Sequence, residues 1–451
     1  MLEHPILLPA PEARSFPLPQ AGDICIIGAG SSGVTVAKAL TEANLSFDIF
    51  EKGSDIGGMW RYENDNGLSS AYASLHIDTS RENLSYSDFP IAKQLPDFLS
   101  HRDFLNYLEL YADRFGIRER VSFQTAVEAV EPESGGQWWV RLSDGTTRQY
   151  RSVIVANGHL WDPRWPSFPG TFAGDQLHSH DYRTPAPFED RDVLVVGIGN
   201  SAVDIAVDLC RRARSVTLST RRSAWIMPKY LMGIPVDRWS RFFVKRLHFS
   251  SRLTRLIMSR LIRLGVGDQR RFGLPRPEHP MWREHATLSQ ELLPYIGHGW
   301  ISIKPNVAHF NGHEVQFDGG HSQRFDAIIH ATGYRPSFPF LSSDHFPPLT
   351  GPRHLYRRMH YASRPGLYFA GLVQPVGPTI TLVEIQGRWM AAVLAGKVAL
   401  PDRLAQEREI ERHRERQRRT YLESARYDLE VDFPTYAKQL LSDMNSGQAG
   451  I

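Results

Sequence analysis

Cysteine is almost missing. Two occur in 451 residues, Cys25 and Cys210, far apart in the chain, which excludes a disulfide framework or a cysteine-built metal centre. No Cys-x-x-Cys is present, so a disulfide reductase would lack its redox-active pair; both cysteines are expected to be small buried apolar residues, and no metal is expected. An excess of one charge is also lacking: 52 Lys and Arg face 49 Asp and Glu, for a net charge of +3. That excludes a nucleic-acid partner as the default but leaves room for a local basic surface. No stretch approaches the ~18 consecutive apolar residues of a membrane span. Residues 1–20 carry five prolines with acids at Glu3 and Glu12 and lack the basic start and unbroken apolar core of a signal peptide, so they read as a Pro-rich tail. A cytoplasmic enzyme is expected. At about 150 residues per domain the length supports two or three domains, and 41% apolar with 22% charged residues is ordinary for a globular protein.

What is present comes in duplicate. Gly28-Ala29-Gly30-Ser31-Ser32-Gly33 follows the apolar run ending at Ile27, and Gly197-Ile198-Gly199-Asn200-Ser201-Ala202 follows Asp192 to Val196. Each is preceded by a predicted strand and followed by a predicted helix, over Val34 to Asn44 and Val203 to Arg212. In that context the glycines let backbone approach a pyrophosphate at a helix N-terminus. The strand Phe47 to Phe50 then leads into Glu51-Lys52, about 20 residues past the first glycines, where a carboxylate accepts from both ribose hydroxyls; this predicts FAD. The strand Val216 to Ser219 ends instead in Thr220-Arg221-Arg222, with guanidiniums where the acid would be, which predicts the 2′-phosphate of NADPH. The bland alternative is a tight turn and solvated arginines. Two nucleotide sites in one chain point to electron transfer between them.

Further motifs surround these units. Gly57-Gly58-Met59-Trp60-Arg61-Tyr62 follows Glu51; Phe172-Ala173-Gly174, His178 and Tyr182 form F-x-G-x3-H-x3-Y; Ala331-Thr332-Gly333-Tyr334 and Ala156-Asn157-Gly158 each follow an apolar strand. With Ser85-Tyr86-Ser87-Asp88-Phe89-Pro90, Ser219 to Trp225 and Gly371-Leu372-Val373-Gln374-Pro375, the chain from about Asp23 to about Leu441 resembles the class B flavin-dependent monooxygenases, specifically the flavin-containing monooxygenases.

The resemblance implies an α/β fold of two Rossmann-like dinucleotide-binding domains, with the NADPH domain inserted into the FAD domain. The expected divisions are a first FAD part at 21–163, the NADPH domain at 164–324 with a basic amphipathic insert at 238–267, and a second FAD part with C-terminal helices at 325–451. Pro163, Pro166 and Pro169 mark the first break, and the strand Ala327 to Ile329 is expected to resume the FAD domain. By resemblance, Gly28, Gly30, Ser32, Gly33, Glu51, Lys52, Gly58, Met59, Trp60, Asp78, Thr79 and Gln374 would serve FAD, and Gly197, Gly199, Asn200, Ser201, Ala202, Thr220, Arg221 and Arg222 would serve NADPH. It also implies that NADPH reduces FAD, that the reduced flavin and O2 form a C4a-hydroperoxyflavin, and that this oxygenates nitrogen or sulfur of small lipophilic amines and sulfides. Lone pairs attack such an oxidant without prior deprotonation, so no catalytic base is nominated. A homodimer is expected from the family.

The sequence departs from that pattern at His76-Ile77-Asp78-Thr79-Ser80-Arg81-Glu82. Asp78 stands where the family usually carries an asparagine at the flavin and nicotinamide, and an ionised carboxylate only accepts whereas asparagine also donates. Burial would raise its pKa, and a protonated form could still donate. Asp78 is therefore the one candidate catalytic residue, and either alters the oxygenation step or is tolerated in the same role. Baeyer-Villiger ketone oxygenation and an uncoupled NADPH oxidase releasing H2O2 are the alternative activities. Against the former, the histidine motif of those enzymes ends in tryptophan where this chain has Tyr182. His178 is expected to be structural. Arg238 to Gly267 has eight Lys or Arg and no acid, interleaved with Phe242, Phe243, Leu247, Leu253 and Leu256. It is expected to pack as a helix pair with a solvated basic face; a weak membrane-surface contact or a lid is the alternative. Arg403 to Arg419 reads as a solvated, charge-paired helix.

Overall fold

The computed structural model describes residues 23–284, 286–346, 351–421 and 427–448; the Pro-rich tail expected at 1–20 lies outside them. The chain forms two compact units. Unit 1 comprises the described residues up to Ser69, Thr79–His159, and the described residues from Pro336 onward; unit 2 comprises Ser70–Asp78 and Leu160–Arg335.

In chain order, unit 1 begins with strand β1 (Ile24–Ile27), helix α1 (Ser31–Glu42), and strands β2 (Phe47–Phe50), β3 (Val121–Ser122) and β4 (Ser152–Val155). Unit 2 holds β5 (Asp175–His178), β6 (Asp192–Val196), α2 (Asn200–Leu209), β7 (Ser215–Ser219), α3 (Val236–Lys245), α4 (Ser251–Val266), β8 (Ile301–Lys304) and β9 (Ala327–His330). The return to unit 1 adds β10 (Leu367–Phe369) and helices α5 (Thr379–Leu394), α6 (Arg403–Thr420) and α7 (Phe433–Gln448). Each unit has a five-stranded parallel sheet, ordered β10-β4-β1-β2-β3 in unit 1 and β5-β9-β6-β7-β8 in unit 2. Central strands covered on both faces lose the polar alternation of a one-sided sheet, and accordingly β1, β4 and β9 are buried at every position.

Three divisions differ from the sequence expectation. The strand Ala327 to Ile329 does not resume the FAD part: β9 lies between β5 and β6, in register with both (Val193 opposite Ala327, Val196 opposite His330). The strand that completes the unit 1 sheet is β10, opposite Val153 to Val155. The breaks fall outside 162 and 335 because Tyr334–Arg335 pairs antiparallel with Asp162–Pro163, so both segments stay in unit 2. Residues 70–78 belong to unit 2, where the Ala73 N–H donates to the Arg183 carbonyl at 2.9 Å.

Within unit 1, α1 and α5 approach closely. A Cβ on Gly387 would stand 3.3 Å from the Val36 Cα, so glycine sets that spacing. In unit 2, α4 packs Met258 and Ile262 against Met227 and Met281, as the helix-pair reading expects. Yet Phe242, Leu247, Leu253, Leu256 and Leu264 stay exposed, Leu264 at 82%.

Candidate functional site

In unit 1 the turn from β1 into α1 is a backbone cradle. Gly28 has φ +102°, and a Cβ there would meet the Ala156 carbonyl oxygen at 2.9 Å; a Cβ on Gly33 would come within 1.9 Å of the Gly28 oxygen. Only glycine fits either position. No side chain caps α1 at Gly30, whereas the helix at 101–114 is closed by a Ser100–Asp103 capping box. The leading N–H groups of α1 are thus left for an anion, as a pyrophosphate requires. Gly58 lies over the same loop, its would-be Cβ 3.1 Å from the Gly30 Cα, and the Gly57 N–H donates to the Ala29 carbonyl. Trp60 stands edge-on to Phe104 at 4.8 Å, and the Met59 carbonyl accepts from Ser69 Oγ at 2.7 Å.

Glu51, 5% exposed, ends β2 with its carboxylate already held. Oε2 accepts the Ala29 N–H at 2.8 Å, and Oε1 accepts the Gly53 N–H at 2.8 Å and Asn66 Nδ2 at 3.1 Å. Each carboxylate oxygen accepts two bonds, so one lone pair of Oε2 is left for a ribose hydroxyl. Asn64 Nδ2 fixes the Gly58 carbonyl at 2.9 Å. Neither Asn64 nor Asn66 was singled out from sequence; two buried asparagines beside a glycine turn are the signal that could have found them. Lys52 is exposed, Thr79 is partly buried, and Gln374 sits in a short strand opposite Glu430. The Ser85 to Pro90 motif anchors α1: Tyr86 Oη lies 2.8 Å from Thr35 Oγ1, Asp88 pairs with the buried Lys38, and the Ser87 N–H donates to Glu384 at 3.0 Å.

Unit 2 repeats the cradle. Gly197 has φ +136°, its would-be Cβ 2.4 Å from the Ala331 oxygen, and α2 opens at Gly199 with no side-chain cap. Asn200 Oδ1 accepts the Leu288 N–H at 3.0 Å, Ser201 is partly buried and Ala202 fully buried. At the end of β7, Thr220 is buried and donates to the Arg222 carbonyl, while Arg221 and Arg222 are exposed. In the F-x-G-x3-H-x3-Y motif, Tyr182 donates to Asp208 on α2 at 2.7 Å. His178 is fully buried, its Nδ1 accepts the His180 N–H at 3.1 Å, and burial pushes its pKa down to about 4. It is a neutral core histidine at neutral pH.

Asp78, expected in the FAD part, belongs to unit 2. Its Oδ1 lies 3.0 Å from Lys229 Nζ; burial pushes its pKa up, and the Lys229 ammonium and His76 pull against that. One turn beyond Asn200 on α2, Asp204 accepts the Tyr72 hydroxyl at 2.7 Å. Burial and the charge of Asp78 raise its pKa to about 7, against Lys229 and the Tyr72 bond. Sequence reading found Asp78 but missed Lys229, Asp204 and Tyr72, because over 120 residues separate 72 and 78 from α2 and no spacing rule joins them.

Two parallel-sheet units, each opening a glycine cradle onto an uncapped helix, define a flavin- and pyridine-nucleotide-dependent oxidoreductase. Residues 21–448 match the flavin-binding monooxygenase-like family, and the chain belongs to it. It is 34% identical to flavin-containing monooxygenase 5 of Rattus norvegicus over 438 residues, 91% of this chain and 80% of that protein. It is 32% identical to dimethylaniline monooxygenase [N-oxide-forming] 2 of Oryctolagus cuniculus over 449 residues, covering 94% and 83%. Among solved structures, S-allyl-L-cysteine S-oxygenase of Allium sativum superposes with a TM-score of 0.70 at 26% identity, over 94% of this chain and 89% of that one. Cyclohexanone monooxygenase shares the fold, with a TM-score of 0.72 at 17% identity, over 95% and 99%. The family is a flavin-binding one, and a steroid monooxygenase solved with NADP bound shares the fold, with a TM-score of 0.68 at 18% identity.

Proposed function

We propose that this monooxygenase uses NADPH, FAD and O2 to oxygenate nitrogen or sulfur of small lipophilic amines and sulfides. Gly28, Gly30, Gly33 and Glu51 hold FAD; Gly197, Gly199, Arg221 and Arg222 hold NADPH. Bound FAD, once reduced, supplies the oxygen-activating chemistry, and the chain's residues bind, orient and exclude water. The observation that carries the reading is the pair of uncapped glycine cradles with opposite strand ends, a buried carboxylate in one unit and exposed arginines in the other. The similarity to an N-oxide-forming monooxygenase and to an S-oxygenase favours nitrogen and sulfur. Asp78 is the proposed catalytic residue. Its pairing with Lys229 makes it chiefly an acceptor, unlike an asparagine, and this keeps ketone oxygenation and H2O2 release as second readings.

The test is to reduce the holoenzyme anaerobically with NADPH, admit O2, and follow flavin absorbance and H2O2. A spectrum distinct from oxidised and reduced flavin, persisting until trimethylamine or a thioether is added, is expected. Immediate return to oxidised flavin with stoichiometric H2O2 would replace the reading by an oxidase. The exposed Phe242, Leu247, Leu253, Leu256 and Leu264 among acid-free basic residues support a weak anionic-membrane contact through 238–267. Sedimentation with phosphatidylserine vesicles at low salt should pellet the protein, and no pelleting rules the contact out.

A further inference from the structure

Unit 2 contains a charge cluster that no nucleotide fingerprint requires. Two carboxylates, Asp78 and Asp204, share the neighbourhood of one ammonium, Lys229, which makes a 3.0 Å ion pair with the first and acts electrostatically on the second. Tyr72, 4% exposed, closes the far side by donating to Asp204 at 2.7 Å. The other charged or titratable groups facing the cluster are His76 towards Asp78, Glu291 towards Asp204 and Lys229, and Tyr334 towards Tyr72. Asp204 is on α2, one turn from Asn200 at the open, phosphate-facing end of that helix. Fully ionised, the three central groups sum to −1; with one proton on the carboxylates they sum to zero.

The nicotinamide ring also changes charge. It is neutral in NADPH and carries a positive charge in NADP+.

We propose that Asp78, Lys229 and Asp204 act as one unit whose charge discriminates the oxidised from the reduced nicotinamide, so that loss of the proton held between the two carboxylates strengthens retention of NADP+. This rests on Asp78 lying at the nicotinamide, part of the reading above, but not on which substrate is oxygenated. Burial and the charge of Asp78 bring the Asp204 pKa to about 7, burial raises that of Asp78 as well, and the two carboxylates titrate as a pair. Lys229 is a positioning residue: its ammonium favours the ionised form of Asp78 and so biases the shared proton towards Asp204.

The test is binding, without oxygen or turnover. Dissociation constants of NADP+ and of 2′-phospho-ADP-ribose, which keeps the pyrophosphate and lacks the nicotinamide, are measured on the oxidised holoenzyme by calorimetry from pH 6 to pH 8. The ratio cancels titration of the shared 2′-phosphate. NADP+ should gain about fivefold over 2′-phospho-ADP-ribose across that range, the lower end for coupling between two bound groups. Asp204→Asn should flatten the ratio and Lys229→Arg should keep it. Tyr72→Phe, which removes a bond that lowers the Asp204 pKa, should move the midpoint upward while perturbing the fold less than a charge change. A flat ratio in the unmutated protein, or the same slope in Asp204→Asn, overturns the proposal even if amine or sulfide oxygenation is demonstrated. A pH-dependent ratio beside an enzyme that only releases H2O2 leaves it standing and sinks the substrate reading instead.

Discussion

The two glycine cradles have the same backbone plan and differ in how their far ends are finished. In unit 1, Glu51 is buried and its carboxylate is held by three N–H donors, two from the glycine loop region and one from Asn66. In unit 2, the matching strand ends in exposed Arg221 and Arg222. A carboxylate fixed before the ligand arrives costs little ordering on binding, whereas two exposed guanidiniums would have to be ordered by any phosphate that they bound. The first arrangement suits a cofactor that stays, and the second one that exchanges.

The largest break in that comparison is Gly33→Ala. The added methyl would lie 1.9 Å from the Gly28 oxygen and 2.9 Å from the Gly28 carbonyl carbon, both backbone atoms, so α1 must move off β1. A loss above about 3 kcal/mol is expected, read as protein purified without flavin and a collapsed melting temperature. Retention of yellow, stable protein would mean that the cradle is not as tight as described. Next comes Glu51→Ala, which strands the Ala29 and Gly53 N–H groups in a buried place. At about 1 to 3 kcal/mol per orphaned donor, FAD affinity should fall at least about tenfold, measured by flavin release on dilution. The sharpening counterpart is Arg221→Ala. An exposed arginine contributes less than about 0.5 kcal/mol to folding, so melting should be unchanged while the KM for NADPH rises about 10- to 100-fold and that for NADH does not. A parallel rise for both would show that Arg221 does not read the 2′-phosphate.

Much of this was legible in the sequence because it is local. The fingerprints and the strand ends depend on spacing within one βα unit, where periodicity and glycine chemistry operate. The misassigned strand at 327–330 shows the limit. AIIH is a buried strand in either sheet, and only pairing with β5 and β6, more than 130 residues earlier, decides which. Asp78 failed in the same way. Its identity and departure from the family pattern were readable, but its unit, its ion pair with Lys229 and the neighbouring Asp204 were not, because tertiary contacts place them.

Asp204 supplies the smallest effect, and its sign separates a buried acid kept neutral from an acid kept charged. Its folded pKa stands at about 7 against the 3.8 of an ordinary aspartate, so the folded state binds a proton that the unfolded chain releases. Its contribution to stability is therefore complete below about pH 4 and is lost as pH rises through 7. Asp192 behaves in the opposite sense: Arg214 and Ser215 hold its pKa down, so its contribution is present at neutral pH and lost on acidification. Melting temperatures of the unmutated protein and Asp204→Asn, taken from pH 4 to pH 8.5, should nearly coincide at the acid end. The variant should gain about 2 °C relative to the unmutated protein at the alkaline end. A variant that loses ground as pH rises would mean that Asp204 is charged in the fold, with Lys229 as its true partner and Asp78 as the group that takes the proton.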